Sequence, residues 1–442
     1  MHPAHADRIH SPPVRVLVVG SGGREHALAA RLACSPRLSE LHAAPGNPGI
    51  AAVARCHDVA TNDLEGQAAL SGRIGADLVV VGPEAPLVAG LSDRLARDGL
   101  AVFGPSAEAA RIEGSKEFAK RVMQTAGVAT AGHAICDTVA AAQAAVAEAG
   151  GRVVIKADGL AAGKGVFVCD TVADAELAIH ACLVERAFGG SGARILVEQR
   201  LSGPEVSVLA LCDGERVLPL VPARDHKRLG DCDTGPNTGG MGCVSPVPGY
   251  ADGAAVESAR HVHRPVVNEL ARLDCPFAGC LYAGLMLTAD GPSVLEFNAR
   301  FGDPETQVVL PRMRGDLLTA LHACATATLR EDELLVSPDA CVSVVMAAPG
   351  YPQAPRTGGA ITGIEQAERI EGVSVLHAGT AVGDDGRPAV AGGRVLNVVA
   401  TGAGLAEARE RAYAAVAEIW FEGAVWRTDI GEEVAVTEAG GV

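Results

Sequence analysis

The apolar run over residues 14–19 breaks into Gly20-Ser21-Gly22-Gly23 and resumes as a helical pattern over 25–33. A short apolar run bounded by turn signals predicts a strand buried on both faces, and the glycines predict a tight strand-to-helix turn. Residues 77–81 and 100–103 repeat the run, each followed by Gly-Pro, as expected where parallel strands end at the ligand-facing rim of a sheet. These patterns predict a doubly wound α/β unit over residues 15–114. Residues 1–14 hold three His and three Pro without an apolar centre; they predict a disordered lead-in and not a signal segment.

Beyond residue 114 the periodicity changes. Residues 138–149 are Ala-rich and helical, with Asp137 or Thr138 as N-cap and Gly150-Gly151 as the stop. Residues 153–156 and 166–169 flank a glycine-rich loop and predict a hairpin, followed by a helix over 172–187 and a strand over 194–198. This α+β module, residues 130–200, sits inside a central domain predicted over 115–340. There the pattern alternates strands with a long irregular loop over 230–242 and a helix over 258–273. A final domain over 341–442 starts with a strand at 341–347, continues through 392–399 and ends in a helix over 405–417. The fold class is α/β and α+β, in several domains.

Composition narrows the function classes. A chain of 442 residues exceeds one ordinary core and implies two to four domains with interior enough for large clefts. The net charge of -16 argues against a nucleic-acid partner, whose binding draws on Lys/Arg patches. No apolar run of about 18 residues escapes a charge or a Gly/Pro break, so no membrane span is expected. The 12 Cys include no C-x-x-C and are read as reduced core residues, not a zinc site or a disulfide frame. The protein is expected in the cytoplasm.

Four strings carry candidate chemistry. In Gly20-Ser21-Gly22-Gly23-Arg24-Glu25-His26, glycines at a helix N-terminus can present N–H groups to an anion. It nearly matches a dinucleotide fingerprint, but Glu25 stands where the third Gly belongs and no acidic residue closes the second strand, which disfavours NAD. In Lys156-Ala157-Asp158-Gly159-Leu160-Ala161-Ala162-Gly163-Lys164-Gly165 the glycine spacing is not that of a Walker A loop. It suits a flexible hairpin lid whose amides, with Lys156 and Lys164, cover phosphates. Alternation in Leu295-Glu296-Phe297-Asn298 puts Glu296 and Asn298 on one strand face, two oxygen ligands suited to a magnesium ion that takes the rest of its shell from phosphates and water. Arg300 follows on the same side. The fourth string, Asp225-His226-Lys227-Arg228 with the glycine-rich stretch to Gly242, is too long and polar for an idle loop.

With GPEAPL (82–87), FGPS and GSK (103–116) and HAGT (377–380), these strings resemble, in order, the glycinamide ribonucleotide synthetase family of ATP-grasp ligases over residues 16–430. The resemblance implies a Rossmann-like N-terminal domain, a central ATP-grasp fold and a small C-terminal α/β domain. It implies ligation of glycine to 5-phosphoribosylamine in de novo purine biosynthesis, with ATP forming a glycyl phosphate intermediate and no obligate protein partner. ATP would be held by Lys116, Lys156, Gly163, Lys164 and Gly165, with Glu198, Leu201 and Glu205 at the adenine and its surroundings. Glu296 and Asn298 would bind Mg2+ or Mn2+, and Arg300, Lys156 and Asp225 would serve the chemistry. Gly20, Gly22, Gly23, Arg24, Glu25, Asn47, Pro83 and Glu84 would contact substrate from the N-terminal domain. Asp225, Asn237, Thr238, Gly239, Arg300, Gly302, Glu305 and Thr306 would line the rest of the pocket.

Some positions depart from the family pattern. Ala299 replaces a frequent Cys, Val244 a frequent Tyr of the pocket wall, and residues 281–287 offer no second carboxylate to a metal. The alternatives are a sibling ATP-grasp ligase with other substrates, a nucleotide-binding regulatory protein without turnover, and an NAD oxidoreductase.

Overall fold

A computed structural model describes residues 12–160, 165–330 and 333–432. Its first sheet runs in the order Arg55–Cys56, Leu38–Pro45, Val14–Gly20, Leu78–Val81, Ala101–Phe103, with every pair parallel. The central strand is buried on both faces, as its apolar run predicts: Val14, Val16 and Val18 pack into one core and Leu17 and Val19 into another. The strand order reverses beside Val14–Gly20, so the crevice at the carboxyl ends opens over Gly20, Gly46, Gly82 and Gly104.

The second and third sheets face each other. His133–Cys136, Ile195–Gln199, Val153–Ala157 and Val166–Cys169 form an antiparallel sheet in that order. The helices Val139–Glu148 and Val172–Ile179 cover one side of it through Ala142, Val146, Ala175 and Ile179. Thr138 caps the first of these helices by accepting the Ala141 N–H. On the other side lie Val154, Lys156, Val166, Leu196 and Glu198, cross-strand neighbours that share a face. The opposing sheet runs Val217–Pro219, Glu205–Asp213, Ala278–Thr288, Gly291–Asn298, again antiparallel.

A fourth sheet joins segments far apart in sequence, in the order Arg224–Asp225, Gly242–Ser245, Ala340–Ala347, Arg394–Gly402, Val373–His377. The stretch read as irregular over 230–242 is in fact organised. Arg228–Gly230 and Thr234–Asn237 pair as a small hairpin, and Gly242–Ser245 then enters this sheet beside Ala340–Ala347. The hairpin tip is gripped by the C-terminal segment. Buried Arg427 pairs with Asp233 at 2.6 Å and with Asp429 at 2.6 Å, while Asp231 accepts the Thr428 N–H at 2.7 Å. Side chains nearly two hundred positions away order this loop, a tie that local periodicity cannot register.

The helix expected over 258–273 begins earlier, at Asp252, and widens into a π turn over Ala259–His263. There buried His263 faces the Val208 carbonyl at 3.2 Å. Val244 turns into the C-terminal core with Val342 and Ala340 and forms no pocket wall. Nine of the twelve thiols are buried; Cys34 and Cys232 are exposed and Cys56 lies between. Among the described residues no helix is long and apolar enough to cross a membrane.

Four histidines are held neutral by the interior. Burial, reinforced by His377, lowers His26 to about 3; burial lowers His226, His263 and His377 each to about 4. The unfolded chain titrates them near the ordinary 6.5, so below that pH it binds protons the folded state refuses. Stability is therefore complete above about pH 6.5 and declines as pH falls toward 4, by on the order of 1 kcal/mol per histidine per pH unit. Urea midpoints measured from pH 7.5 to 4.5 should show this decline. A flat profile would mean that these side chains ionise freely in the folded protein.

Candidate active site

The cleft is built where the two facing antiparallel sheets meet the carboxyl ends of the parallel one. From the first of them, Lys156 reaches across to the carbonyl of Leu295 at 2.8 Å and pairs with Glu198 at 2.9 Å. Lys120 lies 3.2 Å from the other oxygen of Glu198 and donates to Thr130 at 2.8 Å. Glu198 is thus a buried counter-ion between two lysines. Lys116, the first residue of its helix, donates to the Gly159 carbonyl at 3.0 Å, and burial lowers its pKa. Gly163 and Lys164 lie outside the described residues; Gly165 is buried and its carbonyl accepts the Ala157 N–H. Leu201 is half-buried, and Glu205 pairs with Lys227 at 2.5 Å.

On the opposing strand Glu296 lies across from Gly284 and Asn298 across from Tyr282. The position facing Glu296 therefore carries no carboxylate. Burial favours the protonated form of Glu296, but Lys227, Lys156, Lys116 and Arg300 outweigh it and lower its pKa. Among the described residues neither side chain is committed to a protein hydrogen bond. No cluster there has the three or more His, Cys, Asp or Glu needed to hold a metal by itself. An anionic carboxylate and a free amide oxygen on one strand face fit a divalent ion that completes its shell with phosphate and water.

Arg300 carries an ion pair on two sides. Its Nε lies 3.1 Å from Glu84 and its Nη2 3.0 Å from Glu113, while Nη1 donates to the Phe301 carbonyl at 3.3 Å. Burial works against its charge, but Glu113, Glu84 and Glu305 raise its pKa overall. For Glu84, too, burial is overcome: Arg300 and Arg24 hold it at about 2. For Glu113 burial prevails, and its pKa rises to about 7.

Beside this arginine lies an acidic pocket. Burial first, then the neighbouring Glu305, Glu205 and Glu296, raise Asp225 to about 7 against the pull of Lys227. Glu305 is buried and accepts from Ser207 at 3.2 Å; Ser207 lies 2.9 Å from the Tyr282 hydroxyl.

At the N-terminal glycine turn, Glu25 folds back so that its carboxylate accepts the Gly22 N–H at 2.6 Å and pairs with Arg24 at 2.6 Å. Added Cβ atoms at Gly20 and Gly82 would fall 2.6 and 2.1 Å from its side chain, so glycine is required at both. One amide of the turn is therefore already spent on an internal carboxylate. Arg24 also donates to the Phe301 carbonyl at 3.1 Å. Asn47 spends its polar atoms on Ser21, His377 and Ile50, tying the first domain to the last. Pro83 opens the helix Glu84–Val88.

Most of the other nominated residues are engaged in hydrogen bonds within the protein. Thr238 donates to the Lys227 carbonyl and accepts from Gly240. Thr306 bonds the Gly302 carbonyl at 2.5 Å. Gly239 gives its N–H to Tyr351 at 2.9 Å, and its carbonyl accepts from Arg394, which also pairs with Asp303 at 3.1 Å. Asn237 is exposed on its hairpin strand. Glu113, Lys120, Lys227, Tyr282 and Arg394 were missed. Glu113 and Lys120 flank the Gly-Ser-Lys string and Lys227 lies inside a quoted one, so proximity to a motif was a usable signal for three of them. Arg394 carried no local sign.

Two facing antiparallel sheets that enclose paired lysines, a carboxylate–asparagine strand and an anchored arginine define an ATP-grasp ligase. The phosphoribosylglycinamide synthetase family matches the chain in three parts, its N domain over residues 14–113, its ATP-grasp (A) domain over 114–306 and its C domain over 341–433. The chain belongs to this family. It is 52% identical to the phosphoribosylamine–glycine ligase of Streptomyces coelicolor over 96% of this chain and 100% of that protein. The crystal structure of the Thermotoga maritima phosphoribosylamine–glycine ligase aligns with a TM-score of 0.82 at 32% identity, over 94% of this chain and 100% of that one. The biotin carboxylase domain of a Hydrogenobacter thermophilus 2-oxoglutarate carboxylase shares the fold, with a TM-score of 0.71 at 17% identity over 94% of this chain and 92% of that one.

Proposed function

We propose that this chain ligates glycine to 5-phosphoribosylamine, forming glycinamide ribonucleotide, ADP and phosphate in de novo purine biosynthesis. The observation that carries the reading is the convergence on one cleft of paired lysines, a strand face with a carboxylate and an amide, an anchored arginine and an acidic pocket. A carboxylate does not acylate an amine unaided. ATP therefore transfers its γ-phosphoryl group to a glycine carboxylate oxygen, the bond to the β-phosphate breaks, and ADP leaves. The amine nitrogen then attacks the acyl carbon of glycyl phosphate, the C–O bond to phosphate breaks, and the amine proton is lost.

Each step assigns work to residues of this chain. Lys116 and Lys156 bind and orient the ATP phosphates, and Val154, Val166 and Leu196 offer an apolar floor beside them for the base. Glu296 and Asn298 hold a divalent ion, Mg2+ or Mn2+, which when bound neutralises charge on the phosphates. A guanidinium has five N–H donors; Arg300 donates to Glu84 and the Phe301 carbonyl and pairs Nη2 with Glu113, which leaves N–H groups for the transferring phosphoryl group or the glycine carboxylate. The acidic ring of Asp225 and Glu305 suits the ammonium of glycine. Gly23 and Arg24, with the Gly22 amide already taken by Glu25, face the anionic sugar phosphate.

ADP release should require glycine, a divalent ion and freshly formed phosphoribosylamine together. Equal turnover with other amino acids would overturn the glycine assignment and favour a sibling ligase that shares the ATP apparatus.

A further inference from the structure

Glu113 is the last residue but one of the helix Ala107–Gly114, in the N-terminal domain, and its side chain is 7% exposed. One oxygen accepts the backbone N–H of Ala299 at 2.7 Å and the other meets Arg300 Nη2 at 3.0 Å. It therefore grips backbone and guanidinium at once, one residue beyond Asn298. The same helix junction also reaches the base of the glycine-rich loop. Ser115 bonds Asp158 at 3.2 Å and Lys116 bonds the Gly159 carbonyl at 3.0 Å. Both of its oxygens are thereby engaged at positions 299 and 300.

We propose that Glu113 is a positioning residue for the ligation, fixing the plane of Arg300 in register with the Glu296–Asn298 strand face. This rests on the reaction assigned above. Glu84 holds the Nε edge, but only Glu113 also ties down the backbone, so it sets where the guanidinium begins as well as where it points. Glutamine cannot replace it. It has a single acceptor oxygen, and its amide would set N–H against N–H at either Ala299 or Arg300. Aspartate keeps the carboxyl group and both of its oxygens but is one methylene short.

The test compares wild type, Glu113→Gln, Glu113→Asp, Arg300→Gln and the Glu113→Gln/Arg300→Gln double variant. The readouts are kcat and KM for glycine and ATP, with equilibrium binding of a non-hydrolysable ATP analogue and Mg2+ measured separately. Glu113→Gln should lower kcat by about 10- to 100-fold, the cost typical of losing an outer-shell partner, while analogue affinity holds within about threefold. Glu113→Asp should recover part of the loss. The double variant should be no slower than Arg300→Gln alone, because the effect passes through that arginine.

Wild-type kcat in Glu113→Gln, or losses that multiply in the double variant, would overturn the positioning role. If Glu113→Gln does not fold, Glu113→Asp carries the test, and undiminished kcat there overturns the role equally. A wild-type enzyme inactive with glycine and phosphoribosylamine would overturn the assigned reaction, and this role with it; an active wild type with an unimpaired variant overturns the role alone.

Discussion

Glu296→Gln should leave the fold intact and lower ADP formation by about three orders of magnitude, equivalent to about 4 kcal/mol of transition-state stabilisation. The substitution is isosteric, and Glu296 gives up no protein hydrogen bond, so the packing around it should hold. What changes is the electrostatic balance. Lys227, Lys156, Lys116 and Arg300 all bear on this carboxylate, and without it the cleft is more positive where a divalent ion should sit. The ion then binds weakly or in the wrong place, and the phosphates lose their alignment. Steady-state ADP release across a magnesium titration, with thermal unfolding as the check on folding, decides the matter. Wild-type turnover in a folded variant at ordinary magnesium would show that Glu296 does not hold the ion.

The sequence disclosed most of what depends on local pattern. Residues 14–19 read as a strand buried on both faces, and its side chains do divide between two cores. Period-two alternation put Glu296 and Asn298 on one face, and their partners Gly284 and Tyr282 follow the same alternation on the neighbouring strand. What stayed hidden depends on contacts between distant positions. The hairpin of residues 228–237 is too polar and glycine-rich to announce itself, and it is set by Arg427 and Asp429, nearly two hundred residues away.

The same holds inside the site. The resemblance supplied Glu198 as an adenine contact, and the fold adds a role no local pattern shows, a side chain buried between Lys120 and Lys156. Arg300 was readable as a cation beside the Glu296–Asn298 strand face, but its two carboxylate partners come from the first domain, at positions 84 and 113. Glycine spacing suggested an anion-binding turn at Gly20–Gly23. Only the folded geometry reveals that Glu25, two residues beyond Gly23, takes one of its amides.

The buried Lys120–Glu198–Lys156 trio makes the second large effect predictable. Lys156→Met should weaken binding of an ATP analogue by about 100-fold, since it removes a desolvated cation from the phosphate region. It should also destabilise the sheet that carries it. Glu198 would keep Lys120 as its only cation, and the crossing bond from Lys156 to the Leu295 carbonyl would disappear. Breaking a buried pair by removing one partner costs up to about 3 to 5 kcal/mol. Here the lower end applies, because Lys120 remains. These two consequences separate when the whole trio is neutralised, in Lys120→Met/Lys156→Met/Glu198→Gln. Removing all three charges leaves no buried ion of the trio without a partner and should restore much of the stability, yet nucleotide affinity should stay low. Urea unfolding and analogue titration on the single and triple variants read the two quantities independently. If the triple variant regained nucleotide binding along with its stability, Lys156 would be a structural partner of Glu198 and not a phosphate-binding group.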